Sequence, residues 1–128
     1  MPLVAHDELP TFDRLRAEGE EVLSVDRART QDIREPHIEL LNMMPDAALW
    51  ITEKQYMRLV GSCNRIAQMY VYSFTVPGLP RSERAQAHID SFYADFDELR
   101  DAGLDALIIS GANVTNPSID LEPFWGPL

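Results

Sequence analysis

The chain has 128 residues, of which 45% are hydrophobic and 25% are charged, which is the composition of a globular domain or part of one. Its 11 Lys and Arg against 21 Asp and Glu give a formal net charge of −10 at pH 7. Because such a field repels phosphate and anionic lipid, nucleic acid and membrane are not expected as partners. A membrane span needs about 20 apolar residues, and no apolar run of the chain is that long. The start "MPLVAHDELP" lacks the features of a secretory signal. A cytoplasmic protein is therefore expected.

The first part of the chain predicts a helix followed by two strands. Thr11 is in the position of an N-cap, and Gly19 is a stop signal for the same short helix. Residues Glu21–Val25 are predicted to form a short strand, and the polar segment 26–36 a loop. The apolar density of His37–Met43 predicts a second strand.

The stretch "LNMMPDAALWITEKQ" joins that strand to a helix. The strand is expected to break at Pro45, and "DAALWI" to form a loop. Thr52 and Gln55 have the spacing of a capping box, which predicts a helix that begins at Thr52 and continues to about Gly61.

The second half repeats the alternation of strand and helix. Ile66–Thr75 is rich in β-branched and aromatic residues and is predicted to be a strand, followed by a "VPGLP" loop. Ser82 is a candidate N-cap for one long helix that ends at Gly103. The apolar stripe of this helix consists of Ala85, Ile89, Phe92, Phe96 and Leu99. The run "LDALIIS" then predicts a strand of the kind that is buried on both faces.

This order predicts an α/β fold with a doubly wound, mostly parallel sheet of the flavodoxin-like kind. In such sheets ligands bind beyond the carboxyl ends of the strands. The loops after Met43, Thr75 and Ile109 are therefore expected at the edge that carries a site.

Few single residues indicate chemistry on their own. Cys63, the single cysteine, cannot form an internal disulfide and lies between a helix end and a strand start, where a structural role is expected. His88 is on the flank of a predicted apolar stripe, where packing is more common than catalysis, and His6 and His37 are weaker candidates. No metal-binding, dinucleotide, serine-hydrolase or phosphate-loop motif occurs, so neither a metal nor a bound cofactor is expected.

The segment "SGANVTNP" is the strongest local candidate for a site. Gly111 directly follows the last predicted strand, and glycine there lets backbone N–H groups approach a ligand. The same glycine is also ordinary turn chemistry.

Several longer segments together carry a resemblance to a known family. They are "RARTQDIREPHIELLNMMPDAAL", "TEKQYMRLVG", "HIDSFYADFDELRDAGLDALIISGANV" and "EPFWGPL". In this order they resemble the N-terminal part of homoserine O-acyltransferases of the homoserine O-succinyltransferase type. The resemblance implies a fold like that of class I glutamine amidotransferases. It also implies transfer of a succinyl or acetyl group from coenzyme A to the homoserine hydroxyl, a step of methionine biosynthesis.

The resemblance also implies what the chain lacks. Family members use a cysteine nucleophile at a strand-to-helix elbow, then a histidine and a glutamate, all beyond the segment matched by "EPFWGPL". Cys63 does not match that nucleophile, so no residue of this chain is expected to be catalytic. Residues 1–128 are then a single partial domain, whose last strand has an unpaired edge and an uncovered face.

Two departures from the family concern the acyl donor. Many relatives have lysines where this chain has Asp46, Ala47 and Ala48, which leaves any role of those lysines open. The position that relatives use to choose succinyl or acetyl donors is matched by Thr115, which is neither the glycine nor the glutamate found there. Gly111 and Thr115 are therefore expected to serve as oxyanion contact and donor-selecting residue of one acyl site.

Three hypotheses follow. The first is an inactive N-terminal portion of a homoserine O-acyltransferase, whose complete form takes homoserine and an acyl-coenzyme A as substrates and could be a homodimer. The second is a shortened, non-catalytic relative that binds a partner through its open sheet edge. The third is a free-standing flavodoxin-like binding module, which no phosphate-loop motif supports.

Overall fold

The computed structural model describes residues 2–63 and 66–128, and its described strands are all parallel to their neighbours. The strands are β1 (Leu3–Ala5), β2 (Val22–Ser24), β3 (His37–Met43), β4 (Tyr70–Phe74) and β5 (Ala106–Ala112). β1 pairs with β2, and β3 lies between β4 and β5. A bridge between Leu3 and Met69 joins the two groups and gives the order β2, β1, β4, β3, β5. The α/β prediction with a parallel sheet is confirmed.

Five helices and one short 3₁₀ turn, Ile119–Leu121, complete the described chain. The helices are α1 (Pro10–Ala17), α2 (Val25–Arg29), α3 (Asp46–Ser62), α4 (Glu83–Phe92) and α5 (Phe96–Ala102). The Ser82 side chain accepts a hydrogen bond from the Ala85 N–H at 3.2 Å, which confirms the predicted cap of α4. Gly103 ends α5 with a φ of 84°, where glycine is the least strained residue.

The core lies on both faces of the central strand because neighbouring side chains of a strand point in opposite directions. Leu40 packs with Phe12 of α1 and Met57 of α3. Leu41 packs on the other face with Phe74 and Phe124. Of the residues of β3, the last five are buried, as expected for a strand between two others.

β5 differs from the prediction that it is buried on both faces. Ile108 packs against the core, but Leu107 is 44% exposed and Ile109 is 52% exposed. β5 pairs only with β3, so its other edge is open in the described part of the chain. The expectation of an unpaired edge and an uncovered face is therefore confirmed for residues 2–63 and 66–128.

Both threonines that were predicted as N-caps lie inside helices instead. α1 begins at Pro10, whose fixed φ suits the first helical position, and Thr11 is 1% exposed. α3 begins at Asp46, after Pro45 in an extended conformation, so "DAALWI" is helical rather than a loop. Asp46 favours the first turn of this helix by its charge, and Thr52 is a buried residue of its middle.

The long helix predicted from Ser82 to Gly103 is divided at Tyr93. The backbone of Tyr93 is extended, and the Ala94 N–H donates to the Ser73 carbonyl at 2.8 Å. Asp95 then caps α5 by accepting hydrogen bonds from two backbone N–H groups. The predicted apolar stripe is therefore divided between α4 and α5. The hydrogen bond from Ala94 to β4 and the cap at Asp95 interrupt the helix between them.

The remaining differences are smaller. The segment predicted as a loop at 26–36 contains most of α2, which Ser24 caps by accepting from the Arg27 N–H at 3.2 Å. The strand predicted at Ile66–Thr75 is shorter, and before Tyr70 the chain forms only single bridges. Part of the stretch before it, residues 64–65, lies outside the described residues.

Candidate functional site

The loops that follow β3, β4 and β5 meet at the carboxyl edge of the sheet and enclose a cavity of about 160 Å³. The loop after β3 contributes Met44 and Pro45, and the loop after β4 contributes Arg81. The segment after β5 contributes Thr115 and, further on, Glu122. We call this space the edge cavity. Its position is the one at which parallel α/β sheets bind ligands.

Arg81 ties the loop after β3 to the loop after β4. Its side chain is only 4% exposed, and its Nη1 donates to the Met44 carbonyl at 2.5 Å while Nη2 donates to Thr75 Oγ1 at 3.3 Å. Asp46 Oδ1 lies 3.5 Å from Nη1, and Asp46 Oδ2 accepts from the Ser82 N–H at 2.5 Å. That backbone hydrogen bond, together with Arg81, lowers the pKa of Asp46, so its carboxylate is ionised at neutral pH.

Glu122 holds the segment that contains Thr115. Its Oε1 accepts hydrogen bonds from the Thr115 N–H at 2.7 Å and the Asn116 N–H at 2.6 Å. The residue is 4% exposed, and its Oε2 is buried with no hydrogen-bond partner among the described residues. The bond from Asn116, followed by that from Thr115, lowers the pKa of Glu122. Thr115 is therefore fixed by its backbone at the wall of the edge cavity.

Gly111 lies within β5 rather than after it. Leu41 pairs with Ile109 and Met43 pairs with Ala112, so β5 has one residue more than β3 in this stretch and forms a bulge. A Cβ at Gly111 would lie 3.7 Å from the Met44 sulfur, which is an ordinary contact. Ser110 lies in the same bulge, where its hydroxyl accepts from the Met43 N–H at 2.8 Å and donates to the Gly111 carbonyl at 2.7 Å.

Gly111 and Thr115 line neighbouring cavities rather than one. Gly111 borders a second space of about 330 Å³, between β5 and α3, which also includes Thr52. Thr115 borders the edge cavity, and Met44 belongs to both. Their expected roles as oxyanion contact and donor-selecting residue stay predictions, and Met44 is the residue that connects them.

A buried carboxylate of α3 was missed by the sequence reasoning. Glu53 of α3 has 0% exposure, and its Oε1 accepts a hydrogen bond from the Thr11 hydroxyl. Its Oε2 accepts from the Tyr93 hydroxyl at 2.8 Å and lies 3.1 Å from His88 Nε2. His88, expected as a packing residue, is buried and belongs to this polar cluster.

A sequence signal for Glu53 existed. Leu49, Glu53, Met57 and Val60 are spaced by four, four and three residues, which is one face of a helix. With α3 beginning at Asp46, Glu53 falls in the middle of its apolar face. A carboxylate at such a position needs buried donors.

The cluster continues from Glu53 to the turn after β3. Tyr93 accepts a hydrogen bond at 3.0 Å from Asn42 Nδ2, which also donates to the Leu49 carbonyl at 3.1 Å. Asn42 Oδ1 accepts from the Met44 N–H at 3.2 Å. Burial and then the charge of Glu53 raise the pKa of Tyr93, so its hydroxyl keeps its proton.

The other candidate side chains lie apart from the edge cavity. Cys63 is exposed at the C-cap of α3. His6 Nε2 lies 2.7 Å from the Val71 carbonyl, and His37 Nδ1 lies 3.0 Å from the Tyr72 hydroxyl, which are structural contacts. The described residues contain no group of His, Cys, Asp and Glu arranged to hold a metal ion. Over the same residues, every helix is too short or too polar to cross a membrane.

The fold and the edge cavity define an α/β protein with a parallel sheet and a cavity formed by the loops at its carboxyl edge, where such sheets bind ligands. Residues 2–128 match the model of the family described as "HTS: Homoserine O-succinyltransferase". The chain belongs to the homoserine O-succinyltransferase family, a family of transferases, which confirms the resemblance found in its sequence.

Relatives named homoserine O-succinyltransferase match the chain over its whole length. The identity is 63% for the protein of Methylobacter tundripaludum, 61% for that of Methylococcus capsulatus and 60% for that of Allochromatium vinosum. In each case 128 residues are aligned, which is 100% of this chain and 36% of the relative. The chain thus spans about a third of the length of these relatives, at their N-terminal end.

Proposed function

We propose that this chain forms the N-terminal portion of a homoserine O-succinyltransferase. The complete enzyme transfers a succinyl group from its coenzyme A thioester to the hydroxyl of homoserine, in methionine biosynthesis in the cytoplasm. The match of residues 2–128 to the family carries this proposal. The names of the relatives favour succinyl over acetyl as the transferred group.

In this proposal the chain contributes walls of the acyl site rather than its nucleophile. Support comes from the edge cavity, which is lined by Thr115 at the position that the family resemblance associates with donor choice. The space beside Gly111 is the place for the thioester oxygen, where a backbone N–H stabilises negative charge. No metal and no bound cofactor take part, and acyl-coenzyme A is a co-substrate.

The chain by itself is then inactive. Acyl transfer through a covalent intermediate needs a nucleophile beside a general base. Cys63 is exposed at a helix end, and the buried His88 is directed to Glu53 instead. We therefore assign the nucleophile and its partners to the part of the enzyme that follows this chain in the relatives.

The test requires a complete enzyme, made by joining residues 1–128 to the C-terminal remainder of the Methylobacter tundripaludum relative. Succinyl- and acetyl-coenzyme A are compared as donors with homoserine, and the acylated product is measured by mass spectrometry. O-succinylhomoserine is the expected product, with serine in place of homoserine as the control. A folded chimera that gives no homoserine-dependent product would refute the proposal.

Thr115 provides a finer test in the same chimera. A glutamate at this position repels the carboxylate of a succinyl donor, because like charges in a confined site cost several kcal/mol. Thr115→Glu should therefore lower the ratio of succinyl to acetyl transfer, while Thr115→Gly keeps succinyl as the better donor. Unchanged ratios in both variants would show that Thr115 does not line the acyl pocket.

A second candidate function, a non-catalytic module that binds a partner, is favoured by the open edge of β5. Ile109 is 52% exposed beside Leu107 at 44%, and an apolar strand with a free edge is a template for pairing with another chain. Sedimentation of the 128-residue chain tests this function. The chain is measured alone and mixed with the C-terminal remainder as a separate polypeptide. A chain that is folded but stays monomeric in both samples would count against this function.

A further inference from the structure

A continuous path of hydrogen bonds leads from the buried carboxylate of Glu53 to the turn between the two cavities. The path runs from Glu53 to the Tyr93 hydroxyl at 2.8 Å, and from Tyr93 to Asn42 Nδ2 at 3.0 Å. It ends at the Met44 N–H, which donates to Asn42 Oδ1 at 3.2 Å. Glu53 and Asn42 both have 0% exposure, whereas Tyr93 and Met44 are partly buried, so the path leads from the protein interior toward the cavities.

Met44 is the point at which this path reaches the site. Its carbonyl accepts from Arg81 Nη1 at 2.5 Å, so its backbone is held by Asn42 on one side and by Arg81 on the other. Its side chain lies beside Gly111, and the residue lines both the edge cavity and the space next to Gly111. A shift of Met44 therefore changes the shape of both cavities at once.

Thr11 forms a separate branch of the same cluster. It donates to the other oxygen of Glu53 and belongs to α1, and it lines neither the edge cavity nor the space next to Gly111. Thr11 and Tyr93 thus each supply one hydroxyl to the same buried carboxylate. Of the two hydroxyls, the one of Tyr93 continues the path toward Met44 through Asn42.

We propose that Tyr93 and Asn42 are positioning residues for acyl transfer, which hold the Met44 turn between the two cavities and thereby align the acyl group for reaction. The proposal rests on the proposed function. Neither residue needs to touch the substrate. Their effect arises because a displaced turn misaligns the reacting groups, and misalignment lowers the rate of the chemical step.

The experiment compares Tyr93→Phe with Thr11→Val in the complete chimeric enzyme. Both substitutions remove one hydroxyl from Glu53 and keep the shape of the side chain. Both should lower the melting temperature. Only Tyr93→Phe should lower kcat, by roughly tenfold or more, while KM for succinyl-coenzyme A stays within about twofold.

Equal kcat values in the two variants would overturn the proposal, because the hydroxyl of Tyr93 would then stabilise the fold and nothing more. Asn42→Ser is a second, independent variant that should show the same loss of kcat. It provides the test if Tyr93→Phe does not fold. An active Asn42→Ser enzyme with unchanged kcat would overturn the proposal as well. Absence of transfer by the unsubstituted chimera would refute the proposed function instead, so the two failures are distinguishable.

Discussion

The carboxylate of Glu122 accepts a hydrogen bond from the backbone N–H of Thr115 at 2.7 Å, seven residues earlier in the chain. The same oxygen accepts from the Asn116 N–H at 2.6 Å. A single ionised side chain thus holds the segment that carries the predicted donor-selecting residue. Charge-assisted bonds to backbone N–H groups are stronger than neutral ones.

These bonds predict a pH dependence of stability. They lower the pKa of Glu122 in the folded protein below its ordinary value of 4.5, so the stability they provide is fully present above about that pH. It is lost as the pH falls through the lowered pKa, where the folded carboxylate takes up its proton. Urea unfolding of wild type and Glu122→Gln between pH 3 and pH 7 should show a difference that shrinks toward acid. A difference that is constant over this range would contradict the assignment.

The cluster around Glu53 predicts a large loss of stability when its carboxylate is removed. Glu53→Ala leaves the Thr11 and Tyr93 hydroxyls and the His88 ring without their buried partner. The free energy of unfolding should fall by about 3–5 kcal/mol, as for other buried pairs that lose one member. Glu53→Gln, which keeps an acceptor and the side-chain volume, should cost less. A loss below about 1 kcal/mol for Glu53→Ala would mean that the cluster does not form.

The start of α3 is tested by Thr52→Val. If Thr52 were the N-cap, loss of its hydroxyl would cost about 1 kcal/mol. Because it lies inside α3 and is 8% exposed, valine of the same shape should change the free energy of unfolding by less than that. Ser82→Ala is the matched control, since Ser82 caps α4 and its loss should cost about 1 kcal/mol. If both variants lost the same free energy of unfolding, Thr52 would be an N-cap after all.

Much of the sheet could be predicted from the sequence because its strands are short apolar runs separated by turn residues. The bounds of β3, His37–Met43, coincide with the prediction, and the cap at Ser82 and the stop at Gly103 are also confirmed. The starts of α1 and α3 could not be predicted in the same way. Each contains a threonine in the pattern of a cap, and the proline that precedes it marks the true start.

The site was predictable in outline and not in detail. The topology of a parallel sheet places the loops after β3, β4 and β5 together, whatever their residues. The sequence does not reveal that Glu122 reaches back to Thr115. The helical spacing that places Glu53 on the apolar face of α3 does not reveal that Thr11 and Tyr93 supply its buried donors. Glu122 and Glu53 are both acidic residues, and single-sequence reasoning assigns acidic residues to the surface because burial of an unpaired charge is so costly.

Whether the nucleophile lies outside this chain is decided by measuring the release of free coenzyme A from succinyl-coenzyme A in the presence of homoserine. The 128-residue chain should give no release above the blank, with or without Cys63→Ser. The complete chimera should release coenzyme A at the same rate whether residue 63 is cysteine or serine, because Cys63 is exposed at the end of α3 and apart from both cavities. Turnover by the 128-residue chain that Cys63→Ser abolishes would show instead that the nucleophile lies within this chain.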